Sequence, residues 1–125
     1  MKIMESGENY LETILMLQKR LGEVRSIDIV HELNFSKPTV SVAMKHFREN
    51  GYIVVDGAGY ITLTEKGLEI ANRIYERHVV LAEVLMGLGV SEKTAYEDAC
   101  RMEHDISEES FEKIKEHVKR NREAE

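Results

Sequence analysis

The chain has no tryptophan, one proline and one cysteine in 125 residues. A single cysteine excludes an internal disulfide framework and suits a reducing, cytoplasmic setting. The single proline makes its position informative, because proline breaks a helix everywhere except in the first turn. No apolar run approaches the roughly 20 residues that a membrane-spanning helix needs, so no membrane partner is expected. The start, Met1-Lys2-Ile3-Met4-Glu5, lacks the apolar segment of a signal peptide. Repeats, low-complexity tracts and Ser/Pro linkers are also missing.

What remains is 42% hydrophobic and 32% charged, the composition of one folded domain or two small ones sharing an element. The net charge of −6 is unevenly spread. Residues 1–64 hold 7 Lys+Arg against 8 Asp+Glu, whereas residues 65–125 hold 10 against 15. The nearly neutral first half gathers its basic residues around Lys37, Lys45 and Arg48. Contact with a polyanion is therefore expected of the first half, and the acidic second half must be held away from phosphate.

Apolar spacing predicts a helix over 8–21, with Tyr10, Ile14 and Leu17 on one stripe and Gly22 as its stop. Ser26 reads as the N-cap of a short helix with Ile27, Val30 and Leu33 inward, followed by a tight Asn34-Phe35 connection. Ser36 caps a third helix, with Pro38 in its first turn, running to about Asn50. Tyr52–Val55 and Tyr60–Leu63 are strand-like about Asp56-Gly57-Ala58-Gly59, which predicts a hairpin. Thr64 caps a long helix over about 65–86, closed by Gly87 and Gly89. Ser91 caps a helix to about His104, and Ser107 caps a last one to about Asn121, beyond which the tail is expected to fray. The expected fold is mainly α with a small β-hairpin. A winged helix-turn-helix occupies 1–72 and a helical domain 73–125, with the long helix shared.

The third helix carries the first functional signal. Val40, Met44 and Phe47 recur on one stripe and should face the core. The opposite side offers Ser36, Lys37, Pro38, Thr39, Ser41, Val42, Lys45 and Arg48. Small, polar and basic residues backing a core face suit a helix lying in a DNA major groove. Ser and Thr hydroxyls can bond base edges or phosphates, and the methyl groups of Thr39 and Val42 can touch thymine. Lys37, Lys45 and Arg48 are expected to contact phosphate, which sets register and salt dependence. The tip Asp56–Gly59 has no basic residue, so a DNA contact from the wing stays open.

The second signal is Cys100-Arg-Met-Glu103-His104. On a helix, positions 100, 103 and 104 share one face and offer thiolate, carboxylate and imidazole to a first-row transition ion. Three ligands do not close a site, so His78 on the long helix and Glu12 on the first helix are further candidates, with Asn9 one turn before Glu12. A lone cysteine is more often a small core residue, and spacing alone leaves both readings open. No His-Glu-x-x-His is present, nor a separate general base or Gly-rich substrate loop, so no enzyme and no small organic substrate are expected. The alternatives are a small metalloenzyme and a winged-helix regulator responding to a different ligand. Val79, Val80, Val84, Leu85 and Leu88 exceed what one small core needs and are candidates for a dimer interface or for ordinary core.

Tyr10-Leu-Glu-Thr-Ile, Ser36-Lys-Pro-Thr-Val-Ser, Leu63-Thr-Glu-Lys-Gly67, Arg77-His78 and Ala99-Cys-Arg-Met-Glu-His-Asp-Ile-Ser107 together resemble the diphtheria-toxin-repressor and manganese-transport-regulator family. The resemblance covers nearly the whole chain. It implies a cytoplasmic homodimer that binds a pseudo-palindromic DNA operator when loaded with Fe2+ or Mn2+, with Co2+, Ni2+ or Zn2+ as substitutes in vitro. It implies Cys100, Glu103, His104, His78 and Glu12 as ligands. Asn9 stands where manganese-type members carry Asp and iron-type members Met, so its role stays open. Ala82 and Tyr96 occupy two ligand positions of the iron-type ancillary site, which is therefore incomplete. The SH3-like third domain of longer members is expected to be absent, which makes this the short two-domain form.

Overall fold

A computed structural model describes residues 5–124. Six helices and one hairpin follow in the order α1 (Glu5–Leu21), α2 (Ser26–Leu33), α3 (Lys37–Glu49), β1 (Ile53–Val55), β2 (Ile61–Leu63), α4 (Glu65–Gly87), α5 (Glu92–Met102) and α6 (Glu108–Ala124). The chain divides into two compact units, Met1–Asn72 and Arg73–Glu125. None of the described helices is long and apolar enough to cross a membrane.

The first unit is a winged helix-turn-helix. Leu11, Ile14, Leu17, Ile29, Val40, Ile53 and Ile61 are almost wholly buried and form its core. A row of edge-to-face aromatic rings anchors α3 to it, with Tyr10 5.8 Å from both Phe35 and Phe47, and Phe47 6.3 Å from Tyr52. Asn34 turns the chain between α2 and α3 in the left-handed conformation, which Asn tolerates better than most residues. Ser36 caps α3 through its hydroxyl, which accepts from the Thr39 N–H at 3.3 Å, and Pro38 lies in the first turn. The strands pair antiparallel, Ile53 opposite Leu63 and Val55 opposite Ile61.

Two expectations for α2 fail. Its N-cap is Arg25, not Ser26, and the Arg25 N–H donates to the Asp28 carboxylate at 2.8 Å. The cause is tertiary: Val24 bridges Ile61, its carbonyl accepting the Ile61 N–H at 2.7 Å, so the chain is still extended at Arg25. Ile29, not Ile27, is the fully buried residue of α2, and Ile27 is exposed. Both are isoleucines on a two-turn helix, and only the neighbouring elements decide which one faces inward.

The second unit packs α4, α5 and α6 around Leu81, Ala82, Ala95 and Ala99, with Leu85, Met86, Val90, Ile106 and Ile114 against them. Alanines at three of the four central positions let helix backbones approach closely. Leu85 therefore belongs to the core, Val79, Val80 and Val84 are half-buried, and Leu88 is 78% exposed. The fifth helix stops at Met102, two residues short of His104, because Glu103 caps it and a turn follows. The last helix continues to Ala124 where fraying from Arg122 was expected; Arg122 is tied by an ion pair to Glu83 on α4.

Candidate DNA-reading surface and metal centre

The outer face of α3 is chemically simple. Ser36, Lys37, Pro38, Thr39, Ser41, Val42, Lys45 and Arg48 are all exposed, while Val40, Met44 and Phe47 are buried behind them. Val42 is 60% exposed, an apolar side chain left largely open to solvent. The Ser36 and Thr39 hydroxyls bond one another at 2.8 Å at the start of the helix. Two shallow depressions flank this face. One is lined by Ser26, Ile27, Val30, Lys37 and Ser41, the other by Ser26, Ser41, Met44, Lys45, Arg48 and Val55.

The hairpin is locked to the start of α4. The Thr64 hydroxyl donates to the Gly51 carbonyl at 2.7 Å, and the Thr64 N–H donates to the Tyr52 carbonyl at 3.0 Å. Gly67 passes so close that a Cβ there would strike the Tyr52 carbonyl. Within the wing turn, Asp56 Oδ1 accepts from the Ala58 and Tyr60 N–H groups, both at 2.9 Å. That carboxylate is thus engaged in holding the turn.

In the second unit, His78, Cys100 and Glu103 bring one ligand atom each to within 4.8 Å of one another. Bonds to a first-row ion are roughly 2.0–2.3 Å, so three such donors fit around one ion. Cys100 is exposed at the rim, His78 is half-buried, and Glu103 is fully buried. The Glu103 carboxylate meets His78 Nδ1 at 2.9 Å through Oε2, and His104 Nε2 lies 3.3 Å from Oε1. No hydrogen bond among the described residues reaches Oε1. A buried carboxylate oxygen with no well-formed hydrogen bond is costly in free energy, and a cation beside it offsets that cost. The donor set fits a divalent transition ion.

Arg77 plays a part that its sequence position does not announce. It is buried, and Nη1 donates to the Glu103 carbonyl at 3.1 Å and to the Ile106 carbonyl at 3.0 Å. Nη2 pairs with Glu108 at 2.9 Å, and the guanidinium lies 5.3 Å from the Phe111 ring centroid. One arginine thus ties α4 to the turn carrying Glu103 and His104 and to the start of α6. Its main-chain acceptors lie 26 and 29 residues downstream, so no local pattern could have revealed it. Of the other expected ligands, Glu12 is buried on α1 in the first unit and Asn9 is half-buried one turn before it. Tyr96 lays its ring 5.3 Å from that of His78, and Ala82 is core, so neither offers the carboxylate or imidazole of an ancillary site.

A reading helix in one unit and a nitrogen–sulfur–oxygen donor cluster in the other define a metal-responsive DNA-binding regulator. Residues 2–60 match the iron dependent repressor N-terminal DNA binding domain, and residues 64–124 match the iron dependent repressor metal binding and dimerisation domain. The chain belongs to the iron-dependent repressor family, whose members are metal-dependent transcriptional regulators. It is 35% identical to an HTH-type transcriptional regulator of Methanocaldococcus jannaschii over 113 residues, 89% of this chain and 90% of that one. It is 36% identical to the transcriptional regulator MntR of Escherichia coli O6:H1 over 104 residues, 83% of this chain and 67% of that one. The structure of the manganese regulator SloR overlays 95% of the chain with a TM-score of 0.77 at 25% identity. The chain spans about half of the SloR chain, 55%.

Proposed function

We propose that this protein is a repressor that binds a pseudo-palindromic operator as a homodimer when loaded with Fe2+ or Mn2+. The observation that carries the reading is the meeting of His78, Cys100 and Glu103 around a buried carboxylate oxygen that no hydrogen bond reaches. A divalent ion would be held by the Glu103 carboxylate, a His78 ring nitrogen and the Cys100 thiolate, with His104 beside Glu103 as a further donor. A bound divalent cation supplies positive charge to the carboxylate and the thiolate. Arg77 holds the Glu103 main chain in place through its carbonyl and would keep the carboxylate positioned for an ion. The manganese assigned by name to SloR supports Mn2+, and the softer Cys100 thiolate supports Fe2+.

In the operator complex, α3 lies in the major groove, with Ser36, Thr39, Ser41 and Val42 towards base edges and Lys37, Lys45 and Arg48 towards phosphates. Two-fold symmetry of a dimer matches two half-sites about one helical turn, or a multiple, apart. A rise in DNA affinity of about 10–100-fold on metal loading requires only ~1.4–2.8 kcal/mol of coupling. The test is operator selection by gel shift across Mn2+, Fe2+, Co2+, Ni2+ and Zn2+ with a chelated control. Glu103→Ala is expected to abolish the metal stimulation while leaving weak, non-specific DNA binding. A Glu103→Ala protein that keeps full metal response refutes the site. Glu12, implied by the family resemblance alone, is checked in the same titration with Glu12→Ala.

A further inference from the structure

The wing of this unit carries no basic residue at its tip, yet the structure brings one to it from elsewhere. Arg25 precedes α2, and its guanidinium lies over the Tyr60 ring, 4.3 Å from the centroid. Tyr60 leads into β2, the second strand of the hairpin. The seat is rigid for a backbone reason. The Ile61 N–H bonds the Val24 carbonyl at 2.7 Å, so residues 24–25 run alongside β2 as a short extra strand. Successive side chains along extended backbone alternate in direction. Val24 and Ile61 are accordingly both buried, and the next residue on one side and the preceding one on the other, Arg25 and Tyr60, meet on the opposite face. The Arg25 N–H is itself fixed by Asp28 at 2.8 Å.

Arg25 is exposed, and among the described residues no carboxylate pairs with its guanidinium. The Asp56 carboxylate, the one acidic group of the wing, is engaged with the Ala58 and Tyr60 N–H groups. Stacking on a ring holds a guanidinium in place and leaves its in-plane N–H donors free. Ser26, the next residue, lines both depressions beside α3, together with Lys37 on one side and Lys45 and Arg48 on the other.

We propose that Arg25, held on Tyr60, is a DNA phosphate contact that substitutes for a basic wing tip and extends the Lys37, Lys45 and Arg48 set onto the hairpin. The inference rests on the reading of α3 as the DNA-binding helix and adds a contact outside it. A planar fork of donors suits a phosphodiester, and a contact of this kind adds affinity without sequence preference.

The experiment is fluorescence anisotropy of the Mn2+-loaded full chain on a labelled mixed-sequence DNA duplex across a salt series. Wild type, Arg25→Ala, Arg25→Lys, Tyr60→Leu and Lys45→Ala are compared. Arg25→Ala is expected to weaken binding about tenfold at roughly 0.1 M salt and to lower the slope of log K against log salt by about one unit. Arg25→Lys keeps the wild-type slope, and Tyr60→Leu keeps the slope while losing affinity, because the charge stays but its seat is gone. Melting of the variants is followed alongside, and Arg25→Gln, which removes the charge and keeps the length, takes the place of Arg25→Ala if that variant does not fold. An unchanged slope in Arg25→Ala, or a lost slope in Arg25→Lys, overturns the proposal. If Lys45→Ala also leaves the slope unchanged, the reading of α3 itself has failed, and the two failures are thereby separate.

Discussion

Glu103 is gripped at both ends by consecutive residues of one helix. His78 takes its carboxylate and Arg77 its main-chain carbonyl. On the proposed metal reading the first bond joins two candidate ligand side chains, whereas the second involves only main chain. Arg77→Met is expected to lower metal affinity by about 10–100-fold, the usual cost of losing a group that orients a ligand. Co2+ titration followed by its absorption bands measures this without DNA. Glu108→Gln serves as the comparison: it removes the exposed partner of Arg77 and keeps both carbonyl bonds, so Co2+ affinity stays near wild type. Equal losses in both variants would place the effect in the ion pair with α6 rather than in the grip on Glu103.

At the scale of elements, legibility in the sequence tracked the range of the forces involved. The stripe Val40, Met44 and Phe47 and the cap at Ser36 are set within α3 itself, and both were readable. The cap of α2 at Arg25 follows from the Val24–Ile61 bridge to β2, far along the chain, and the inward residue Ile29 from the packing of α2 on its neighbours; both were misread. Cys100 and Glu103 are legible as neighbours because one helical turn separates them, whereas the approach of His78 depends on how α4 packs on α5. Arg77 stood in the sequence only as the neighbour of His78, and its grip on the Glu103 carbonyl left no local pattern. The joint between hairpin and α4 illustrates the same limit: Gly67 looks like an unfavourable residue for a first helical turn, and only the Tyr52 carbonyl above it explains the choice. Gly67→Ala is expected to destabilise the first unit by about 1–3 kcal/mol, despite the better helix propensity of alanine. Urea unfolding followed by circular dichroism checks the sign; a gain in stability would mean that Tyr52 can give way.

For the whole molecule, charge is partitioned with function. The nearly neutral first half presents Lys37, Lys45 and Arg48 on α3 and Arg25 beside the wing, and the acidic second half carries the donor cluster. A ligand that binds only the folded chain stabilises it by mass action, ~2.7 kcal/mol at a hundred times the dissociation constant. Mn2+ or Co2+ at that excess is therefore expected to raise the melting temperature by roughly 10 °C, at about 4 °C per kcal/mol for a chain of this size. An excess of chelator reverses it. Glu103→Ala should melt at one temperature with and without the ion, and a metal-dependent shift in that variant would point to a site elsewhere.

The scarcity of sulfur has a practical side. Cys100 is the one thiol of the chain, and it lies exposed at the rim of the cluster. A thiolate engaged with an ion is withheld from an alkylating reagent, whereas a free one reacts. With Cys100 as a ligand, as proposed, intact-mass measurement after a short pulse of iodoacetamide is expected to sort molecules one by one into loaded and empty. It counts occupancy chain by chain, where melting and absorption report only averages, and it requires no DNA and no engineered label.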